Sequence, residues 1–147
     1  MTAVPVLQPA TLQALCALAE ASPDREVCGF VLEGPGPGAQ ALVPARNSAA
    51  APAREFRIEP REVLAVLRGA EDAGRALVAM YHSHPEGGAE LSARDLAELV
   101  VDRQPTLPGA LLLVLSLVGG RAKEVRAYAW RAGAYSEAAR HAAPFTL

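Results

Sequence analysis

Apolar residues along the chain fall into two kinds of pattern. Leu12, Leu15, Cys16 and Ala19 recur at helical spacing between Pro9 and Pro23, which predicts a helix over residues 11–21. After Pro60, a residue suited to a helix's first turn, Val63, Leu64, Val66 and Leu67 give a second apolar side that weakens through residues 69–74. Leu96, Leu99 and Val100 mark a third helix over residues 92–101. Between these lie short apolar runs of strand length. Residues 27–32 run into Gly34-Pro35-Gly36-Pro37-Gly38, a turn composition, and residues 39–43 are placed to return as a hairpin partner. Residues 56–58 read as a short strand, and residues 76–81 as a longer one that flows into His82. The run over residues 110–118, broken only by Ser116, predicts a central strand buried on both faces. Gly119-Gly120 then turns the chain into residues 125–130, a further hairpin partner. Residues 135–147 read as a short helix and an extended tail.

These elements sum to one α/β domain over residues 1–147, with a mixed, largely antiparallel sheet, because hairpin signals argue against a purely parallel one. A chain of 147 residues, 51% hydrophobic and 20% charged, can bury a substantial core. The formal net charge of −2 carries no dominant nucleic-acid footprint. Lys123 is the only lysine among 14 basic residues; abundant arginine and alanine read as genome composition rather than as a binding signal. Cys16 and Cys28 are too few for a disulfide scaffold and lack CxxC spacing, so two buried free thiols in a reducing compartment are expected. The first residues lack a signal-peptide pattern, and the longest apolar run is too short to span a bilayer as a helix. A soluble, cytoplasmic protein with no membrane and no nucleic-acid partner is expected.

The sharpest chemical signal is Tyr81-His82-Ser83-His84-Pro85, followed by Ser92-Ala93-Arg94-Asp95. At a strand end, residues i and i+2 project to one face, which would set two imidazoles side by side. Imidazole suits zinc and similar divalent ions, and Asp95, in the first turn of the next helix, is a natural third ligand. Two histidines and one carboxylate leave a position free for water, as catalytic sites do. A plainer reading stands beside this one. His-x-His occurs by chance, and Ser92 with Asp95 is also an ordinary serine cap with an acid three residues on.

The joint spacing, His82-x-His84-Pro85, six residues, Ser92, two residues, Asp95, resembles the signature of the JAMM (MPN-plus) metalloproteases, of the short stand-alone prokaryotic type. Upstream, Glu26-Val27-Cys28-Gly29-Phe30-Val31-Leu32-Glu33-Gly34 is similar to the family's glutamate-bearing segment. Asn47 matches its loop asparagine, and Phe56-Arg57-Ile58-Glu59-Pro60 fits the junction that follows. Leu91 stands where the family commonly has proline. The resemblance implies the JAMM/MPN (cytidine-deaminase-like) fold, a curved sheet flanked by helices. It implies Zn2+ held by His82, His84 and Asp95. It assigns Glu26 as general base and then general acid, and Ser92 as an aid to the oxyanion.

The resemblance further implies hydrolysis of an amide or isopeptide bond after the Gly-Gly tail of a ubiquitin-like or sulfur-carrier protein. An amidohydrolase acting on small molecules at the same site and a non-catalytic interaction scaffold are the alternatives. A homodimer is left open. Other residues read more plainly. His141 is a surface or packing histidine, Ser83 makes a backbone hydrogen bond or packs, and Tyr81 packs beside the site. Cys28 is buried in its strand. Glu33, Glu86 and Glu90 are solvated acids, the last two within reach of a substrate. Trp130, Tyr128 and Tyr135 belong to core or interface. No phosphate-binding loop is present, and His82 lacks the following glutamate and downstream cysteine pair of a zinc deaminase.

Overall fold

The computed structural model describes residues 5–144. Helix α1 spans Pro9–Ala21, strand β1 Cys28–Glu33 and strand β2 Gln40–Ala45. Helix α2 spans Pro60–Asp72, strand β3 Ala76–His84 and helix α3 Ala93–Leu99. Two short strands, β4 (Val100–Val101) and β5 (Gln104–Pro105), precede β6 (Leu111–Val118), β7 (Arg121–Arg131) and β8 (Ala134–Ala142). Six strands form one mixed sheet in the order β2-β1-β3-β6-β7-β8, and β4 pairs with β5 apart from it. Among the described residues, only the β3–β6 pair is parallel; the other pairs of the sheet are antiparallel. The expected mixed, mostly antiparallel sheet flanked by helices is thus the observed one. Register shifts in β1, β6 and β7 add the local bends that curve it.

Both central strands are covered on both sides, which explains their unbroken apolar character. On one face, α1 lays Leu12, Leu15, Cys16 and Ala19 against Val31, Tyr81, Leu113 and Leu115. On the other, Phe30, Met80, Leu112 and Val114 meet Phe56, Ile58 and the α2 residues Val63, Val66 and Leu67. Each fully buried leucine of this kind contributes about 1.5–3 kcal/mol relative to exposure. Tyr81, expected to pack beside the site, instead lies in the cluster on the opposite face from the two histidines. Its ring crosses β1 at Gly29, where a Cβ would lie 2.5 Å from the Tyr81 hydroxyl and 2.5 Å from the Val43 carbonyl. Only glycine leaves that room.

Several elements differ from those expected. Helix α1 begins at Pro9, because proline is accommodated in the first turn. Residues 56–58 are not a strand; Phe56 and Ile58 bury their side chains from an irregular segment ahead of α2. Helix α3 stops at Leu99, and Val100–Val101 turns into the β4–β5 pair. The largest correction is at the C-terminal end. Residues 134–142 are not a helix but strand β8, hydrogen-bonded along β7. Residues 145–147 of the expected tail lie outside the described residues. Among the described residues, no helix is long and apolar enough to cross a membrane.

Candidate metal centre

The site sits where the end of β3 meets the start of β1. Antiparallel register pairs Cys28 with His82. Beyond the strand proper, Ser83 N–H donates to the Val27 carbonyl at 2.9 Å, and Val27 N–H donates to Ser83 Oγ at 2.9 Å. Continuing that register sets Glu26 across from His84. Strand alternation then puts Glu26, His82 and His84 on one face. Ser83, between the two histidines, therefore makes the expected backbone contact, and it holds the glutamate segment in place.

Asn47 organises the other side of Glu26. Its amide nitrogen donates to the Glu26 carbonyl at 2.9 Å and to the Glu55 carbonyl at 3.0 Å, while its oxygen accepts from Ala49 and Arg57 N–H groups. Glu26 N–H donates to the Pro52 carbonyl at 2.7 Å. An otherwise irregular loop is thereby tied down at the one residue it must place.

Asp95 arrives from a third direction. Ser92 caps α3: its Oγ accepts from Asp95 N–H at 3.0 Å, and Ser92 N–H donates to Asp95 Oδ2 at 2.9 Å. That same Oδ2 lies 3.1 Å from Nε2 of both His82 and His84, and the two Nε2 atoms are 3.1 Å apart. The capping box and the site are therefore one arrangement rather than rival readings. Ligating atoms of Glu26, His82, His84 and Asp95 all lie within 4.8 Å of one another. His82, Glu26 and Asp95 are 1%, 4% and 4% exposed.

The rings are held as well as placed. Phe56 stacks on His82 with centroids 4.3 Å apart and planes 20° from parallel. His84 Nδ1 lies 2.7 Å from the Gly88 carbonyl oxygen. A carbonyl only accepts, so Nδ1 carries a proton, and the ring turns its Nε2 toward Asp95 and His82. Sequence reasoning missed both partners. Phe56 was legible only as a junction residue, and Gly88 contributes a backbone atom that no side-chain motif encodes.

The residues present fit a divalent ion. Two imidazole nitrogens and a carboxylate oxygen form a triangle with 3.1 Å edges. Ligands at tetrahedral angles and typical zinc distances stand about 3.3 Å apart. Glu26 Oε1 is buried without a hydrogen-bond partner among the described residues, as a group aimed at something between the residues would be. Burial pushes the Glu26 carboxyl up to about 7, with Asp95 and Glu55 adding and His84 opposing. Burial also lowers His82. For His84, burial acts downward but Asp95 and the Gly88 carbonyl outweigh it, and the ring is raised. For Asp95, burial acts upward but the two histidines and Ser92 N–H hold it well below the carboxylate range.

Ser92 is exposed at the rim, with its Oγ engaged as an acceptor. His141 is half-buried on β8 opposite Val125, away from the cluster. Glu86 is exposed, Glu90 reaches Arg126 at 3.2 Å, and Glu33 accepts from Gln40. Trp130 and Tyr135 pack edge-on at 5.0 Å. Cys16 and Cys28 are free and buried.

The model of a known family, the prokaryotic homologues of the JAB domain, matches residues 8–132. A desampylase of Haloferax volcanii is 32% identical over 121 residues, which cover 81% of this chain and 79% of that protein. A probable TtuB-protein conjugate cleaving protease of Thermus thermophilus is 37% identical over 57 residues, 39% of this chain and 38% of that one. Among solved structures, a protein of Desulfitobacterium hafniense superposes with a TM-score of 0.67 at 21% identity, covering 86% of this chain and 84% of its own. One from Salinibacter ruber gives 0.60 at 23% identity, covering 95% and 94%. These two likenesses carry the fold alone. Fold and site together define a zinc metallopeptidase of the JAMM/MPN type. The chain belongs to the prokaryotic homologues of the JAB domain.

Proposed function

We propose that this chain is a zinc isopeptidase that cuts the amide bond after the Gly-Gly tail of a ubiquitin-like or sulfur-carrier protein. The observation that carries the reading is the meeting of Glu26, His82, His84 and Asp95 from three separate segments within 4.8 Å, with one carboxylate oxygen left unpartnered. His82, His84 and Asp95 would hold the metal. A bound zinc ion supplies Lewis-acid polarisation of a carbonyl and brings the pKa of water down toward ~7.

Glu26 then serves as the proton carrier. Its Oε1 takes the proton of the attacking water and hands it to the departing amine nitrogen, a poor leaving group while unprotonated. In the metal-free protein, burial already raises its carboxyl to about 7, which favours holding a proton. Ser92 Oγ accepts from Asp95 N–H, so its own proton stays available for a carbonyl oxygen gaining charge. The substrate class draws support from the two relatives, one named a desampylase and the other a conjugate-cleaving protease.

The test joins metal analysis to cleavage of carrier fusions ending in Gly-Gly-x, run beside short amides. Wild type is expected to hold one zinc per chain and to cut the fusions. Glu26→Gln keeps the zinc and loses about 100-fold or more in kcat. Equal cleavage by wild type and Glu26→Gln removes the mechanism. Cleavage of short amides in preference to fusions moves the substrate to small molecules. A chain that takes up no metal is a scaffold.

A further inference from the structure

We infer that Tyr128, two strands away from the histidines, is a positioning residue for the metal centre: its hydroxyl holds the loop whose Gly88 carbonyl orients His84. The inference rests on the metallopeptidase reading of the site. Consecutive residues of the loop after β3 are each held by a different group. The Gly88 carbonyl accepts from His84 Nδ1 at 2.7 Å. The next carbonyl, that of Ala89, accepts from the Tyr128 hydroxyl at 2.6 Å in a buried contact. The Glu90 carboxylate meets Arg126 at 3.2 Å. Tyr128 and Arg126 both lie on β7, separated from β3 by β6.

This loop needs such anchoring. Gly87 has φ +138°, a conformation other residues rarely adopt, and neither glycine has a side chain with which to fix itself. Ala89 is the loop's buried pin, fully shielded in the apolar cluster that also contains Tyr128. Rotation of the 88–89 peptide unit would swing the Gly88 carbonyl away from His84. The ring would then lose the acceptor that keeps the proton on Nδ1, and the lone pair on Nε2 would no longer be assured. The Tyr128 hydroxyl resists that rotation, because it holds the carbonyl immediately beyond. Arg126 supports it from the same strand by gripping Glu90 while bound to Glu124 at 2.8 Å.

The experiment is Tyr128→Phe, with Tyr135→Phe as a control at a tyrosine whose ring packs on Trp130. Two readouts separate positioning from general stability. The first is the 15N shift pair of His84 in the metal-free protein at alkaline pH, where the ring is neutral. Wild type is expected to show the proton on Nδ1, and Tyr128→Phe a mixture of both tautomers. The second is zinc affinity by competition with a chromophoric chelator, expected to fall about tenfold, the lower end for groups that orient a ligand. Glu90→Gln, at an exposed side chain, carries the same test should Tyr128→Phe not fold, with a shift in the same direction. Unchanged His84 shifts together with zinc affinity within about twofold of wild type overturn the inference. A wild-type chain that binds no zinc overturns the proposed function instead, and the tautomer measurement still decides the role of Tyr128.

Discussion

Cys16 and Cys28 are both free and buried, and burial alone makes them poor nucleophiles. Burial, with Glu20 adding, pushes the Cys16 thiol up to about 11. Burial, with Glu62 and Glu26 adding and Arg25 opposing, pushes Cys28 up to about 12. The consequence for stability has a definite sign. Below pH 9, the unfolded-state value, both thiols are protonated in either state and the contribution is intact. As pH rises beyond it, the unfolded chain ionises its thiols and the folded chain resists, so stability falls through pH 11–12. A Cys16→Ala/Cys28→Ala variant should start less stable yet fall less between pH 8 and pH 11 in urea titrations, by a difference on the order of 5 kcal/mol. Parallel curves for the two proteins would refute the claim. This much was legible in the sequence, since two cysteines on apolar stripes point to buried thiols. Glu26 was legible only by resemblance. Its backbone is held through Ser83, which accepts from Val27 N–H, and Asn47, which donates to the Glu26 carbonyl, residues from two other segments that no local pattern connects to it.

At the scale of elements, α3 shows how one local motif serves two ends. The Ser92–Asp95 capping box satisfies the orphan N–H groups of a seven-residue helix, and it also aims Asp95 Oδ2 at both histidines. The Ser92 hydroxyl and the Ser92 N–H make separate contributions, which a substitution can divide. Ser92→Ala removes the Oγ acceptor and costs about 1 kcal/mol of stability. It leaves the backbone donor to Asp95, so the metal is retained. It also removes the proposed oxyanion donor, for which kcat should fall about 100-fold with KM little changed. Ser92→Thr keeps the cap and restores much of both. A Ser92→Ala protein that loses stability yet turns over at the wild-type rate would reduce Ser92 to a cap. The strand β8 teaches the opposite lesson about legibility. Alanine and arginine near its end favour helix locally, but the segment pairs with β7 through a ladder from Glu124–Ala142 to Arg131–Ala134. The partner that decides its state lies across a two-residue turn, whose Ala132 and Gly133 both take positive φ. Val100 and Val101 read as the end of the preceding helix for a similar reason, since the residues they pair with, Pro105 and Gln104, lie further along the chain.

At the scale of the whole molecule, the question is how far the metal and the fold depend on each other. Small zinc modules unfold without their ion because they have no other core. The described residues form two apolar clusters, one on each face of the sheet, and neither needs the ligands to close. Register, too, is set by hairpins and by the parallel β3–β6 pair, not by the site. The metal-free protein should therefore stay folded. It should still be less stable, because two imidazole nitrogens and a carboxylate are held at 3.1 Å from one another with no cation between them, beside a second buried carboxyl. An ion bound only by the folded state adds RT ln(1 + [L]/Kd), about 4 kcal/mol when free zinc is about a thousandfold above Kd. For a chain of this size, that is a rise in Tm on the order of 10 °C. The loss on chelation should be local. Amide exchange should speed up in the 85–92 loop, the first turn of α3 and the 46–59 loop around Asn47. The strands from β3 to β7 should stay protected, because their hydrogen bonds open only with the core. Calorimetry and exchange measured with and without chelator check both parts. A metal-free chain without cooperative unfolding would show the centre to be part of the core, and a Tm indifferent to zinc would show that the four side chains meet without gripping an ion.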